Sequence, residues 1–356
     1  MAYAKYNNIS IEGISVCVSD KWTSLYDISE QDEKTISKFM KRTGVTGRYD
    51  AGVRQTSADF CYSAAKELIE KNNIPLNKVG VLVLVTQTAD YNTPSTACVL
   101  QMRLGLDTNC IAFDVNLGCS GYVNGINIVS SLLNSVDAEY GLLLCGDTTA
   151  KEKSQKYRTR LTNSASMLFG DAGSATLLRK KTEADNISIL LNTDGEGFKA
   201  LITPYGGWRN PDVDDPSELA DYMDDIEVFN FATTKVPEQI FNIMKINGTT
   251  IDDYDCLALH QANLYIMKQI QKKTGFSSEQ MLVSIDKFGN TSSASIPTAL
   301  VANFGDDNSD RVIRIMGSGF GVGLSWATID MAVNVKNVLP VIQTSEYFED
   351  GYNKIN

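Results

Sequence analysis

The same order of secondary-structure signals occurs twice in this chain, and that repetition restricts the folds open to it. Three apolar, β-prone runs of the first half end at residues with counterparts in the second: Gln87 with Gln261, Asp114 with Asp286, and Gly146 with Gly317. The paired positions are 174, 172 and 171 residues apart. Separations this constant predict two similar halves, rich in βαβ units and packed as a layered α/β fold with a pseudo-two-fold axis.

The repeat also predicts where the chain divides. We expect residues 1–180 to form the N-terminal half and residues 181–356 the C-terminal half, with a connecting loop at 203–225 and a tail at 332–356. The loop is rich in Pro, Gly and Asp, which is typical of a solvated connection. A flap over a substrate entrance, with Trp208 as its apolar contact, is the alternative interpretation.

Local patterns add assignments within each half. Residues 27–41 are polar with helical spacing and predict one helix. Residues 281–286 predict a strand equivalent to the one expected at 110–115 in the first half. Residues 311–316 predict another strand, which Gly317 should end.

Composition limits the class of protein. A chain of 356 residues with 43% apolar and 21% charged residues is typical of a globular enzyme. Its net charge of −11 argues against nucleic acid or an anionic membrane as partner, because both require a basic face. Seven cysteines without metal-type spacing indicate a reducing compartment such as the cytoplasm, and no metal. We see no signal peptide, and no apolar run is long enough to span a membrane.

Cys119 is a candidate nucleophile because of the segments on either side of it. It lies in Gly118-Cys119-Ser120-Gly121, between the apolar run at 110–115 and a helix-compatible run at 123–133. A strand-to-helix turn is where a thiol should ionise most easily, because unpaired backbone N–H groups and the helix dipole favour the anion. The small neighbours leave room for a substrate. A buried structural cysteine is the alternative.

The repeat brings two more residues to the same crevice. Asn290 occupies the turn that matches Cys119, and His260 follows the preceding strand of the second half. Sites of open α/β sheets collect outside the carboxyl ends of the strands, so we expect all three residues to face one crevice. By itself, a single histidine is more often structural and an Asn after Gly is more often a turn residue. Their shared position favours the functional interpretation.

Residues 317–323 are rich in glycine but do not fit a nucleotide-binding loop. No Gly-Lys-Ser/Thr follows, Val322 interrupts the GxGxxG pattern, and a β-prone run follows where a helix would be needed. The backbone N–H groups of Gly319 and Cys119 could instead hold the oxyanion of a thioester. No Cys and His spacing fits zinc.

Taken together, these residues resemble the β-ketoacyl-acyl-carrier-protein synthase III family of the thiolase superfamily. The resemblance covers about residues 9–330 and rests on five segments: 118–121, 168–171, 260–263, 289–297 and 317–321. It implies a duplicated thiolase-like fold with two similar halves in a layered αβαβα arrangement. It also implies a cytoplasmic homodimer.

The resemblance implies a two-step reaction without a bound cofactor. Cys119 would take an acyl group from an acyl-CoA or acyl carrier protein thioester. A malonyl carrier would then lose CO2, and His260 and Asn290 would stabilise the enolate for a Claisen condensation. Two alternatives stay open: transfer of the acyl group to a hydroxyl or amine without decarboxylation, and a catalytically silent partner on the same fold.

The resemblance also implies substrate-binding residues. Arg42 matches a family arginine near the nucleotide of coenzyme A, and Phe320 belongs to the matching segment at 317–321. Lys38 stands where the family has a Trp that stacks on adenine. This departure makes a coenzyme A donor less certain and fits a specialised pathway, such as one for a secondary metabolite or a surface polysaccharide.

A second departure concerns docking of the carrier protein. Tyr265 replaces the basic residue that the family uses for this purpose. Lys268, Lys272 and Lys273 follow on the same predicted helix and could substitute for it, and we select Lys268 as the binding residue.

Overall fold

The computed structural model describes residues 2–29, 31–150, 167–213 and 221–352. The strands in these ranges are β1 (Ala2–Tyr6), β2 (Ile9–Ser19), β3 (Trp22–Ser24), β4 (Gly47–Tyr49), β5 (Val79–Val85), β6 (Ile111–Val115), β7 (Tyr140–Asp147), β8 (Ala172–Lys180), β9 (Ile187–Thr193), β10 (Leu201–Ile202), β11 (Tyr222–Met223), β12 (Cys256–Leu259), β13 (Val312–Gly321), β14 (Ser325–Asn334) and β15 (Ile342–Thr344). The α-helices are α1 (Leu25–Ile28), α2 (Glu33–Thr43), α3 (Ser57–Lys71), α4 (Thr96–Arg103), α5 (Gly121–Ser135), α6 (Asp225–Asn247), α7 (Leu264–Thr274), α8 (Ile285–Phe288) and α9 (Ser295–Phe304).

Two sheets of similar order form the frame. One has the order β15-β2-β8-β7-β5-β6, and the other has the order β1-β9-β14-β13-β12. In the first, β5 runs parallel to both β6 and β7, while β8 is antiparallel to β2 and β7. In the second, β12 is parallel to β13, and β14 is antiparallel to β13 and β9. Four strands occupy equivalent positions in the two sheets: β2 and β9, β8 and β14, β7 and β13, and β5 and β12.

Helices cover both faces of each sheet. Helices α5 and α9 contact strands of both sheets and form the layer between them, whereas α3 and α4 pack outside the first sheet and α6 packs outside the second. Strands β5 and β7 are therefore almost wholly buried, which explains why their sequences are continuous apolar runs. The predicted layered αβαβα arrangement of two similar halves is confirmed.

Three local predictions need correction. Residues 27–41 form parts of two helices, because Asp32 caps the start of α2 by accepting a hydrogen bond from the Thr35 N–H. Residues 281–286 do not form a strand: a single parallel bridge joins Met281 to Leu257, and α8 follows at once. Strand β13 continues through Gly317 to Gly321, because β14 pairs with it along that whole length.

The two ends of the described chain cross between the sheets. Strand β1 pairs with β9 in the second sheet, and β15 pairs with β2 in the first. A division of the chain between residues 180 and 181 therefore stays a prediction, since each sheet takes one strand from the opposite end of the sequence. Within the predicted connecting loop, Trp208 is fully exposed, and residues 214–220 lie outside the described ranges.

The segment after β15 packs on the first half. The Arg103 guanidinium pairs with Asp59 at 3.0 Å and lies between the rings of Tyr62 and Phe348. The Phe348 N–H donates to the same Asp59 carboxylate at 2.9 Å. These contacts hold the predicted tail against α3 and α4. Across the described ranges, no helix is both long enough and apolar enough to cross a membrane.

Candidate active site

The Cys119 turn joins β6 to α5. Cys119 directly precedes Ser120, the N-cap residue of α5, and the Ser120 hydroxyl is hydrogen-bonded to that of Ser325 at 2.7 Å. Strand β13 passes close behind the thiol at Gly321. A Cβ atom at that position would lie 2.7 Å from the Cys119 Cβ and 3.0 Å from its Sγ, so a side chain there would displace the cysteine.

The thiol is held in its neutral form. Its own backbone N–H and that of Val322 donate towards the sulfur, which favours the thiolate. Burial of the sulfur is the larger effect and, together with the charge of Asp147, raises the pKa of Cys119 to about 12. The expectation that this turn makes the thiol easy to ionise is therefore wrong for the free protein, because packing around the sulfur outweighs the helix N-terminus.

His260 directly follows β12 and is fixed on three sides. Its N–H donates to the Ser318 carbonyl at 2.8 Å, and its Nδ1 is hydrogen-bonded to the Ser295 hydroxyl at 2.6 Å. The Phe320 ring meets the imidazole edge-on, with 5.5 Å between centroids and an angle of 85° between planes. Burial lowers the pKa of His260 to about 3, so the ring is neutral at physiological pH. Its Nε2 makes no hydrogen bond to any described residue.

Asn290 lies in a loop that the first half helps to hold. Its N–H donates to the Leu168 carbonyl at 2.8 Å, and its carbonyl accepts from the Gly170 N–H at 3.1 Å. Its side-chain Oδ1 accepts from the Ser292 N–H at 2.9 Å. With Oδ1 engaged, the amide Nδ2 is the free donor of this side chain, and it bonds to none of the described residues.

Several contacts connect the three positions. Strand β13 touches Cys119 through Gly321 and His260 through Phe320. Ser295, which follows the Asn290 loop, carries the hydrogen bond to His260. The three predicted residues thus lie on three adjoining turns, at the ends of β6 and β12 and before α9.

Gly319 and Val322 have different relations to Cys119. A Cβ at Gly319 would lie 2.7 Å from the Cys119 carbonyl oxygen, so this glycine allows close packing of two backbones. Val322 directly follows β13, and its N–H group donates towards the sulfur. Gly319 as an oxyanion donor stays a prediction, and Val322 is a second candidate that the broken glycine pattern concealed.

Comparison with known proteins identifies the family. The sequence models for the 3-oxoacyl-[acyl-carrier-protein] synthase III domain and its C-terminal domain match residues 113–195 and 244–332. A β-ketoacyl-[acyl-carrier-protein] synthase III of Coxiella burnetii is 31% identical, covering 92% of this chain and 98% of the relative. One of Clostridium perfringens is also 31% identical, covering 80% of this chain and 87% of the relative. The chain belongs to the 3-oxoacyl-[acyl-carrier-protein] synthase III family. It is a condensing acyltransferase of the thiolase superfamily.

Solved structures of the family share the fold. A 3-oxoacyl-(acyl-carrier protein) synthase from Burkholderia xenovorans superposes with a TM-score of 0.89 at 32% identity, covering 96% of this chain and 99% of that one. The 3-oxoacyl-(acyl carrier protein) synthase III of Pseudomonas aeruginosa gives a TM-score of 0.78 at 26% identity, covering 95% of this chain and all of that one. The predicted duplicated thiolase-like fold is confirmed.

The predicted binding residues of this synthase III lie at different depths. Phe320 is buried against His260. Arg42 and Lys268 are exposed on α2 and α7, two helices that pack together where Gly44 meets Leu264. Neither cation forms an ion pair with a described residue.

The other two candidate lysines follow Lys268 on α7. Both are exposed, but Lys273 donates to the Thr233 carbonyl of α6 at 2.8 Å, whereas the Lys272 side chain bonds to no described residue. In the described ranges, no group of three or more His, Cys, Asp or Glu side chains could hold a metal ion.

Three further residues shape the site. Ser295 orients His260, Val322 faces the sulfur, and the carboxylate of Asp147 joins the loops around the site. Asp147 carried a signal, since a carboxylate at the end of a fully apolar strand is unusual unless it has hydrogen-bond partners. The roles of Ser295 and Val322 depend on tertiary packing and had no sequence signal.

Proposed function

We propose that Cys119 carries the acyl group and that the chain condenses it with a malonyl thioester of acyl carrier protein. The observation that carries this proposal is the placement of Cys119, His260 and Asn290 on adjoining turns, with Nε2 of His260 and Nδ2 of Asn290 both free of described hydrogen-bond partners. The printed names of the relatives, which specify acyl carrier protein, support the carrier as a substrate.

In the first step, the Cys119 sulfur attacks the carbonyl carbon of an acyl thioester. The S–C bond to Cys119 forms, the bond to the donor thiol breaks, and the thiol proton moves to the departing sulfur. Neutral His260 can relay that proton through Nε2, because the Ser295 hydroxyl can accept from Nδ1–H. The N–H group of Cys119 and that of either Gly319 or Val322 hold the oxyanion.

In the second step, the malonyl thioester loses CO2. The electron pair of the broken C–C bond forms an enolate. The enolate carbon attacks the acyl-Cys119 carbonyl, a C–C bond forms, and the Cys119 sulfur leaves as a thiolate that takes a proton from water. When the Ser295 hydroxyl donates to Nδ1, His260 keeps its proton on Nε2 and donates to the enolate oxygen beside the Asn290 amide. A hydroxyl partner serves both tautomers because it can donate or accept.

Intact-protein mass spectrometry tests both steps. We expect incubation with a panel of straight-chain acyl-CoA and acyl carrier protein thioesters to add one acyl mass, which peptide mapping places on Cys119. Malonyl carrier protein should then remove that mass and release CO2 with a 3-oxoacyl product. Transfer to a hydroxyl or amine without CO2 release would support the non-decarboxylative alternative. Absence of any acyl mass with every donor would support a silent partner.

Arg42 and Lys268 are proposed to receive the phosphates of the carrier or of coenzyme A. Both cations are exposed on packed helices, and acidic partners need a local basic patch on a chain with a net charge of −11. We expect Arg42→Glu and Lys268→Glu to raise the KM for carrier thioesters about tenfold with little change in kcat. Lys66→Glu, on α3, is the matched surface control. Equal KM values in all three variants would contradict this assignment.

We also propose that the protein is a cytoplasmic homodimer. Strand β6 is an edge strand whose outer side pairs with no described residue, and unpaired edges favour pairing with a second copy. Met102 on the adjacent α4 is 57% exposed, which adds apolar surface beside this edge. The seven cysteines are all unpaired, as expected in a reducing compartment.

A further inference from the structure

Asp147 is a buried carboxylate with an unusual set of partners. Its Oδ1 accepts from the Gln87 N–H at 2.7 Å and from the Thr86 hydroxyl at 3.3 Å. Its Oδ2 accepts from the Ser293 hydroxyl at 2.9 Å and from the Ser293 N–H at 3.3 Å. No Lys or Arg of the described ranges pairs with it. Burial raises the pKa of Asp147, and these hydrogen bonds oppose the rise.

These partners come from both halves of the chain. Gln87 follows β5, whereas Ser293 follows Asn290 in the second half. Gln87 and Ser292 also flank the Cys119 turn: a Cβ at Gly118 would collide with the Gln87 side-chain oxygen and lie 3.4 Å from the Ser292 hydroxyl. One carboxylate therefore binds Gln87 on one side of the nucleophile's turn and Ser293, the neighbour of Ser292, on the other.

The backbone of Ser292 gives a second, independent observation. Its φ of 51° lies in the left-handed region, which is unfavourable for a residue with a side chain. In this conformation the Ser292 N–H donates to the Asn290 Oδ1, which leaves Nδ2 as the free donor of the amide. A partner that holds Ser292 in place therefore also orients the Asn290 side chain.

We propose that Asp147 is a positioning residue that sets the Asn290 amide against the acylated Cys119. The inference rests on the proposed function, because it assigns the amide to the condensation step. Asp147 reaches no substrate itself and acts through Ser293 and Gln87. Loss of its acceptor oxygens should release the Asn290 loop while Cys119 keeps its own turn on β6 and α5.

The test compares two buried carboxylates of the same chain. Asp147→Asn puts a donor amide opposite the Ser293 N–H, whereas Asp330→Asn alters a carboxylate that binds Arg314 at 2.8 Å and Tyr254 at 3.0 Å. With the acyl donor that loads the unaltered chain, we expect Asp147→Asn to keep the acylation rate of Cys119 within about threefold. Its condensation kcat should fall about tenfold to hundredfold, because a displacement near 1 Å can cost about a hundredfold.

Asp330→Asn should lower the melting temperature and leave kcat per folded molecule unchanged. A second readout is alkylation of Cys119 by iodoacetamide at mildly alkaline pH. Alkylation should be faster in Asp147→Asn, because a negative charge near the thiol is removed, and should not change in Asp330→Asn.

The outcomes separate this inference from the proposed function. If the unaltered chain loads no acyl group, the proposed function fails. If it loads and condenses, and Asp147→Asn condenses equally fast per folded molecule, the positioning role is overturned. Should Asp147→Asn not fold, Ser293→Ala removes only the hydroxyl bonds to Asp147 and Val85. A condensation rate that falls severalfold in Ser293→Ala, with acylation intact, supports the role, and an unchanged rate refutes it.

Discussion

The two halves treat one equivalent position differently. In the first half, residues 111–115 form the full strand β6, which pairs with β5 and leads to Cys119. In the second half, the matching segment makes one bridge from Met281 to Leu257, and α8 then leads to Asn290. The nucleophile therefore lies at the end of a sheet strand, whereas the amide lies in a loop that hydrogen bonds from residues 168–170 hold.

The Cys119 turn and the Asn290 loop therefore differ in which parts of the chain hold their backbones in place. The backbone of the Cys119 turn comes from one βα unit of its own half, β6, Ser120 and α5, and the second half packs against it through Gly321 and Ser325. The Asn290 loop takes its backbone and side-chain partners from the other half, through Leu168, Gly170 and Asp147. The backbone of the nucleophile's turn is therefore a regular strand-to-helix connection, whereas the backbone of the Asn290 loop depends on hydrogen bonds from the first half.

The largest expected effect comes from the first half. Cys119→Ala should abolish acyl loading and lower condensation by at least about a thousandfold, because alanine has no nucleophile to form the acyl-enzyme. Mass spectrometry and a coupled condensation assay would measure both quantities. Cys98→Ser, which changes an exposed cysteine on α4, should leave both unchanged. Acyl loading that survives Cys119→Ala would place the nucleophile elsewhere.

Asn290→Ala should slow the condensation step and leave the acylation step nearly unchanged. Condensation should fall about 10²–10³-fold, the usual cost of one oxyanion donor, while Cys119 still loads at a rate within severalfold of normal. Single-turnover acylation and steady-state condensation would be measured on the same preparation. The control is Asn303→Ala in the last turn of α9. Equal losses in both steps would mean that the Asn290 loop also supports the Cys119 turn.

The open edge of β6 provides the next contrast. Ile111 is 36% exposed at the start of β6, and Val312 is 57% exposed at the start of β13. Ile111→Asp should weaken a homodimer at least about tenfold, because it puts a charge into a pairing edge, whereas Val312→Asp should not. Sedimentation equilibrium would measure the dissociation constants. A monomer in the unaltered chain would remove the dimer proposal.

The last and smallest effect per pH unit is on stability and concerns His260. Burial suppresses the ionisation of His260, as it does that of Cys119. The folded-state pKa is about 3 and the ordinary value is 6.5, so only the unfolded chain takes up a proton in between. Stability present above pH 6.5 is therefore lost as the pH falls towards 3, by up to about 1.4 kcal/mol per pH unit. Urea unfolding of His260→Gln should lack this component, so its stability relative to the unaltered chain should improve with acidity. Parallel pH profiles for the two proteins would contradict the lowered pKa.

The sequence predicts which turns adjoin better than it predicts their chemistry. The paired separations are visible because apolar strands recur at a nearly fixed distance; they place Cys119 and Asn290 on matching turns and His260 after the preceding strand. The thiol pKa was mispredicted because it depends on packing by β13, which is remote in sequence. Val322 was missed because only the course of β13 shows which N–H group faces the sulfur.

The crossing of β1 and β15 has a consequence for how this protein comes apart. Each sheet is completed by a strand from the opposite end of the chain, so neither half can melt without stripping an edge from the other. A protease that cut the exposed segment around Trp208 would leave two fragments still held together, because β9 pairs with β14 and β2 pairs with β15 across the cut. Co-expressed fragments divided there should assemble into one particle, whereas either fragment alone would present a bare sheet edge and aggregate.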